Sequence, residues 1–220
     1  MHSKPDNPLT TLPFLERAPR EPLVNAPLLI LLHGRAAEAK TIFSIEGFLD
    51  PGLHVISIRA TYPSALGGYE WFHPIGENEG EDTTDESRFA ESESILASQI
   101  AAMRRERGLD GNPLFLWGFS QGAAMSFLLG LRGELKPNAV VPMSGFLPGP
   151  IESWPAVDGS SKFLIAHGNA DEVLSAESSN KAYQALVKRG VEAEYYEYAG
   201  RHKMTGICIK HINAWLVGQA

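Results

Sequence analysis

A chain of 220 residues, 44% hydrophobic and 20% charged, has the length of one domain with a full core. A formal net charge of −7 excludes the broad basic face that nucleic acid or an anionic membrane surface requires. One cysteine excludes an internal disulfide and a thiolate metal cluster, and suits a reducing compartment.

Residues 1–27 carry Pro5, Pro8, Pro13, Pro19, Pro22 and Pro27. That density rules out a long helix and predicts an N-terminal arm with one edge strand over residues 14–17, ahead of a single domain over 28–220. The opening Met-His-Ser-Lys has no apolar signal core, and no later run is long enough to span a bilayer. The expectation is a cytoplasmic protein without integral membrane association.

Residues 28–32, Leu-Leu-Ile-Leu-Leu, form the unbroken apolar run of a parallel strand buried on both faces. The run stops at His33-Gly34-Arg35, a loop in which the Arg35 amide is a candidate hydrogen-bond donor. His33 reads as structural, a neutral imidazole bonded to nearby backbone. Residues 36–48 predict a helix, and residues 54–59 alternate as the next strand.

Residues 61–85 have little periodicity. They hold the aromatic cluster Tyr69-Glu70-Trp71-Phe72 and lead into an acidic run over 77–86. Trp71 and Phe72 suit either of two roles, lining an acyl pocket or anchoring the loop on the core. The acidic run lacks the ligand spacing and glycine of a calcium loop and reads as solvated surface. Thr84 or Asp85 then caps a helix reaching about residue 107, with Phe89, Leu96, Ile100 and Met103 in one stripe. Arg104, Arg105 and Arg107 suit the negative end of its dipole.

The most informative stretch is Leu114 to Gly122. An apolar strand over 114–117 and a helix over 121–131 are joined by Gly118-Phe119-Ser120-Gln121-Gly122, a Gly-x-Ser-x-Gly turn. A turn this tight has no room for side chains at its two glycines. It presents the Ser120 hydroxyl at a helix N-terminus, where the Gln121 amide favours developing negative charge.

Residues 139–143 predict another strand, leading into Ser144-Gly145-Phe146-Leu147-Pro148. Phe146 and Leu147 fall near strand C-terminal ends, where open α/β sheets bind ligands, and fit substrate contact or ordinary packing equally. Residues 150–161 read as a surface connection. After a strand over 162–166 comes His167-Gly168-Asn169-Ala170-Asp171-Glu172. Asp171, just past the strand end, is placed to accept a histidine Nδ1–H, whereas the adjacent Glu172 points elsewhere. A helix over 176–189, a strand over 193–198, the loop Ala199-Gly200-Arg201-His202 and a helix over 206–217 complete the chain. Cys208, between Ile207 and Ile209, reads as a buried structural thiol. Ser120, Asp171 and His202, each following its own strand, stand in nucleophile, acid, base order.

On these residues the chain resembles the phospholipase/carboxylesterase family of small α/β-hydrolases, which includes acyl-protein thioesterases. The resemblance runs from about Leu28 to the C-terminus through Leu32-His33-Gly34, Trp71-Phe72, the Ser120 turn, Ser144 to Pro148, His167-Gly168 with Asp171, and Gly200 with His202. It implies an α/β-hydrolase fold: a mostly parallel central sheet, helices on both faces and no large cap domain, with an open site and, less directly, a homodimer. The function it implies is a serine hydrolase cleaving carboxylic esters of small or medium acyl groups through an acyl-enzyme. Ser120 is then the nucleophile, His202 the base, Asp171 its orienting acid and the Arg35 and Gln121 amides the oxyanion donors. Trp71, Phe72, Phe146 and Leu147 are candidate substrate contacts, and neither metal nor cofactor is expected. A thioesterase acting on acylated protein or a small thioester shares the same triad, and a catalytically silent binding module is the alternative from another class. The chain departs from many relatives in Arg35-Ala36-Ala37 after His-Gly, and in Arg201 before and Lys203-Met204 after His202. The Arg35 guanidinium at the mouth carries the expectation that substrates with a carboxylate or polar leaving group are favoured.

Overall fold

The computed structural model describes residues 11–21, 23–73, 86–132, 135–149 and 159–220. The acidic run up to residue 85, the cap expected at Thr84 or Asp85 and the connection over 150–158 lie outside the described residues.

Seven strands make the main sheet: β1 (Phe14–Arg17), β2 (Leu28–Leu32), β3 (His54–Ile58), β6 (Leu114–Phe119), β7 (Ala139–Met143), β8 (Lys162–Gly168) and β9 (Ala193–Tyr198), in the spatial order β1-β3-β2-β6-β7-β8-β9. β1 lies antiparallel along β3, and every other neighbouring pair is parallel. With its two faces both covered, this is the α/β-hydrolase architecture the motifs imply, and no large cap is evident among the described residues. The Leu12 backbone is clipped to the Gln99 amide by two hydrogen bonds of 2.9 and 2.8 Å, which brings the arm to the sheet edge.

Side-chain alternation along the strands decides which helix covers which face. Leu29, Leu31, Val55, Phe115 and Trp117 point to the layer of α1 (Ala39–Phe43) and α5 (Gly206–Val217), where Ile42, Ile209, Ile212 and Leu216 close over them. Ile30, Ile56 and Leu116, paired in register, point the other way. They meet α2 (Glu86–Glu106), α3 (Gln121–Leu131) and α4 (Ala176–Lys188) through Leu96, Ile100, Leu128 and Leu186. Each such aliphatic side chain, fully buried, contributes about 1.5–3 kcal/mol. Every residue of α3 is buried, so the helix that follows Ser120 is held on all sides.

Two segments differ from the sequence reading. The helix expected over 36–48 is only Ala39–Phe43 followed by a 3-10 turn at Glu46–Phe48. Ala36 takes a left-handed φ of 56°, and Ala37 exchanges backbone hydrogen bonds of 2.9 and 3.3 Å with Tyr69, which diverts the chain from helix. That pairing also organises the aperiodic stretch, where β4 (Tyr62–Pro63) and β5 (Tyr69–Glu70) form a small antiparallel hairpin. Cys208 is buried, and its thiol closes the cap of α5 by hydrogen bonds of 3.0 Å to both backbone groups of Thr205. Among the described residues no helix is long and apolar enough to cross a membrane.

Candidate active site

The site begins at the turn between β6 and α3. Gly118 and Gly122 are required by backbone contact: a Cβ on Gly118 would lie 2.0 Å from the Gly122 carbonyl oxygen, and one on Gly122 would lie 2.1 Å from that of Leu32. Between them Ser120 sits at φ 55° and ψ −119°, a conformation that costs about 1–3 kcal/mol and survives because its surroundings over-determine it. The Ser120 amide donates to the Met143 carbonyl at 2.9 Å, and the Ser120 carbonyl accepts the Ala123 amide at 2.9 Å. The strain lifts the side chain out of the sheet toward the loop after β9.

There Ser120, His202 and Asp171 come within hydrogen-bonding reach. His202 Nε2 is 3.1 Å from Ser120 Oγ, and His202 Nδ1 is 2.7 Å from Asp171 Oδ2. Asp171 Oδ1 accepts the amides of Val173 and Leu174 at 2.9 and 3.0 Å. Burial alone would raise the Asp171 pKa, but the Leu174, His202 and Val173 hydrogen bonds outweigh it and hold the carboxyl below its ordinary range. The loops that carry Asp171 and His202 are locked together: the Ala170 amide donates to the Gly200 carbonyl at 2.9 Å. A Cβ on Gly168 would meet that same carbonyl oxygen at 2.5 Å. The Tyr198 hydroxyl donates to the Lys203 carbonyl at 3.0 Å, and burial pushes this phenol up to about 12. Glu172 faces away from His202 and pairs at the surface with Arg201, which turns that cation from the serine.

The third strand end is β2. A Cβ on Gly34 would lie 3.2 Å from Ser120 Cβ, so this loop runs against Ser120, with Arg35 next in line. Gln121 is the first residue of α3, where a backbone N–H has no partner within its own helix. The Arg35 guanidinium lies 3.8 Å from the buried Glu70 carboxylate, which answers its charge from the core side. His33 is buried, its Nδ1 donating to Gly34 O at 2.7 Å and its Nε2 accepting the Ala60 amide at 2.9 Å. Burial lowers its pKa to about 4. An NMR titration should therefore find the ring neutral down to about pH 4. Because the unfolded ring takes a proton near pH 6.5, stability present above that pH is lost as it falls, by roughly 3 kcal/mol at pH 4. A ring that titrates near pH 6.5 would contradict this.

A cavity of about 620 Å³ opens beside Ser120 and His202, lined by Arg35, Thr41, Ile42, Leu66, Val173 and Met204 among others. Trp71, Phe72, Phe146 and Leu147 do not line it. All four are core residues, at most 8% exposed. Trp71 Nε1 donates to the His33 carbonyl at 2.7 Å, and Phe72 sits edge-on to Phe89 and Phe146. The aromatic pair anchors the hairpin behind the site, and the apolar lining of the cavity comes instead from Met204 and from Leu66 and Val173, which sequence reasoning did not single out. The signal was absent because a lone apolar residue in a loop looks the same whether it rims a cavity or not. The Gln121 side chain was also missed: it accepts from the Trp71 amide and donates to the Phe72 carbonyl, both at 3.1 Å, tying the hairpin to the serine helix. Among the described residues no group of three or more His, Cys, Asp or Glu side chains is arranged to hold a metal ion.

The family pattern described as phospholipase/carboxylesterase matches residues 18–216. Acyl-protein thioesterase 1 of Emericella nidulans is 24% identical over 69% of this chain, which spans 66% of that protein's length. Esterase YpfH of Escherichia coli is 27% identical over 80% of this chain and 75% of its own. The crystal structure of esterase PE8 superposes with a TM-score of 0.83 at 23% identity, covering 96% of this chain and 99% of that one. Together with the strand order, the strained serine turn and the matched span, these likenesses place the chain in the phospholipase/carboxylesterase family of α/β-hydrolases.

Proposed function

We propose that the protein hydrolyses carboxylic esters of small or medium acyl groups through an acyl-enzyme on Ser120. The observation that carries this reading is the continuous relay from Ser120 Oγ through His202 to Asp171, at 3.1 and 2.7 Å, beside a cavity open to solvent. His202 Nε2 takes the Ser120 proton as Oγ attacks the ester carbonyl, while Asp171 holds the Nδ1–H tautomer and stabilises the imidazolium. The amides of Arg35 and Gln121 stabilise the oxyanion. His202 then gives the proton to the departing alcohol. Water, deprotonated by the same imidazole, attacks the acyl-serine, and collapse of the second tetrahedral species returns the proton to Ser120 and releases the acid. Charge stabilisation by the two amides leaves no step that calls for a metal or cofactor.

A thioesterase reading rests on the same relay and on the name borne by the Emericella nidulans relative. The thiolate leaves more readily than an alkoxide, so the attacking apparatus is unchanged. The test is hydrolysis of p-nitrophenyl esters from acetyl to dodecanoyl beside the matched acyl thioesters. The cavity volume leads us to expect turnover of the shorter esters, with an optimum and then a fall as the chain outgrows the space. Turnover of thioesters alone would move the assignment to the second reading; no turnover of either class would sink both.

A further inference from the structure

His167 stands outside the triad, yet it is wholly buried behind Asp171. Its Nε2 lies 3.2 Å from Asp171 Oδ2 and 3.0 Å from the Leu174 carbonyl oxygen. Both partners only accept, so the ring carries its proton on Nε2. Its Nδ1 is 2.6 Å from Ser179 Oγ, whose second contact is the Gly145 carbonyl at 3.0 Å. A neutral ring protonated on Nε2 keeps a lone pair on Nδ1, and the rotatable Ser179 hydroxyl can turn to it from the Gly145 carbonyl to which it otherwise donates. Burial also opposes a second proton on the ring, holding it below the ordinary histidine range.

The Asp171 carboxylate accepts three hydrogen bonds, from the Val173 and Leu174 amides on Oδ1 and the His202 ring on Oδ2, and His167 Nε2 approaches the same Oδ2 at 3.2 Å. A carboxylate has about four lone-pair sites, so these contacts leave it little freedom to turn. We propose that His167 is a positioning residue for the hydrolysis, its Nε2–H fixing Asp171 Oδ2 so that the carboxylate stays aimed at His202. Leu174 is shared by both ends of this arrangement, since its amide binds Asp171 and its carbonyl binds His167. The eight-residue segment from His167 to Leu174 is thereby closed on itself around the acid.

The role rests on the serine-hydrolase reading above. The test compares p-nitrophenyl acetate kinetics of the wild-type enzyme with those of His167→Leu and His167→Gln, and reads the wild-type ring tautomer from its 15N shifts. His167→Leu should lower kcat roughly 10- to 100-fold with KM nearly unchanged, the range seen when a partner that orients a reacting ligand is lost. His167→Gln, whose amide N–H reaches the Nε2 position, should recover most of that loss, and the 15N shifts should report Nε2–H. Loss of core packing alone would not be repaired by glutamine. Wild-type kcat in the leucine variant, a glutamine variant as slow as leucine, or an Nδ1–H neutral ring would each overturn the role. Should the leucine variant not fold, the glutamine variant and the tautomer decide on the same terms. A wild-type enzyme inactive on every ester and thioester would overturn the hydrolase reading and this role with it; an active one with kcat unchanged by His167→Leu overturns the role alone.

Discussion

Ser120→Ala should lower kcat for any ester the wild type hydrolyses by about 10⁴- to 10⁶-fold, the loss expected when the nucleophile of a serine–histidine–acid relay is removed. KM should change little, because the hydroxyl contributes to the reaction and hardly to ground-state binding. The variant should also fold as well as the wild type, since Ser120 Oγ has His202 Nε2 as its hydrogen-bond partner and the strained backbone is held by the Met143 carbonyl. A fluorophosphonate probe separates this from a general loss of structure. Wild type should be labelled on Ser120; Ser120→Ala and His202→Ala should not be, the second because no base remains to take the proton. Labelling that persists in Ser120→Ala would place the nucleophile elsewhere, and a wild type inert to the probe would favour a binding role for the cavity.

Gly118→Ala should have the largest effect on folding. The added methyl would lie 2.0 Å from the Gly122 carbonyl oxygen and 2.6 Å from the Ala123 amide nitrogen, both backbone atoms of a helix buried on every side. Nothing flexible can give way, so the turn must open or the helix must leave the sheet. The expected cost is above about 4 kcal/mol, at the extreme of single substitutions, and in a marginally stable domain it appears as loss of soluble enzyme. Gly47→Ala is the matched control, since a Cβ there meets no atom within 4 Å. It should stay within about 0.5 kcal/mol of wild type. Equal melting temperatures for the two variants would show that the close approach at Gly118 does not hold the site.

The parts legible in the sequence are those whose cause is local. Leu28–Leu32 and Ala139–Met143 read as buried strands because unbroken apolar runs of that length suit a parallel sheet, and both occupy those bounds. The helices Gln121–Leu131 and Gly206–Val217 follow from apolar spacing with a turn before each. That Ser120, Asp171 and His202 come within hydrogen-bonding reach was legible for a different reason: each sits in a short motif at a strand end, and the fold gathers strand ends at one edge. What was illegible depends on distant partners. The shortening of α1 comes from the pairing of Ala37 with Tyr69, which no window of sequence around residue 37 contains. Trp71 and Phe72 are aromatic residues in a loop, and only the hydrogen bonds to His33 and Gln121 decide that they face inward. His167 is one more residue of a buried strand until Leu174 and Ser179 fold back over it.

The hairpin over β4 and β5 has a fixed end and a free end. Its exit is tied to the serine helix through Gln121, and its second strand meets Ala37 by way of Tyr69. Its tip carries Leu66, 70% exposed at the cavity rim, followed by Gly67, around whose Cβ position no atom lies within 4 Å. Exchanges at Leu66 therefore reshape the cavity rim without touching the hydrogen bonds that hold the chain after the hairpin to the Ser120 helix. The rim and the Ser120 turn ride on separable pieces of chain.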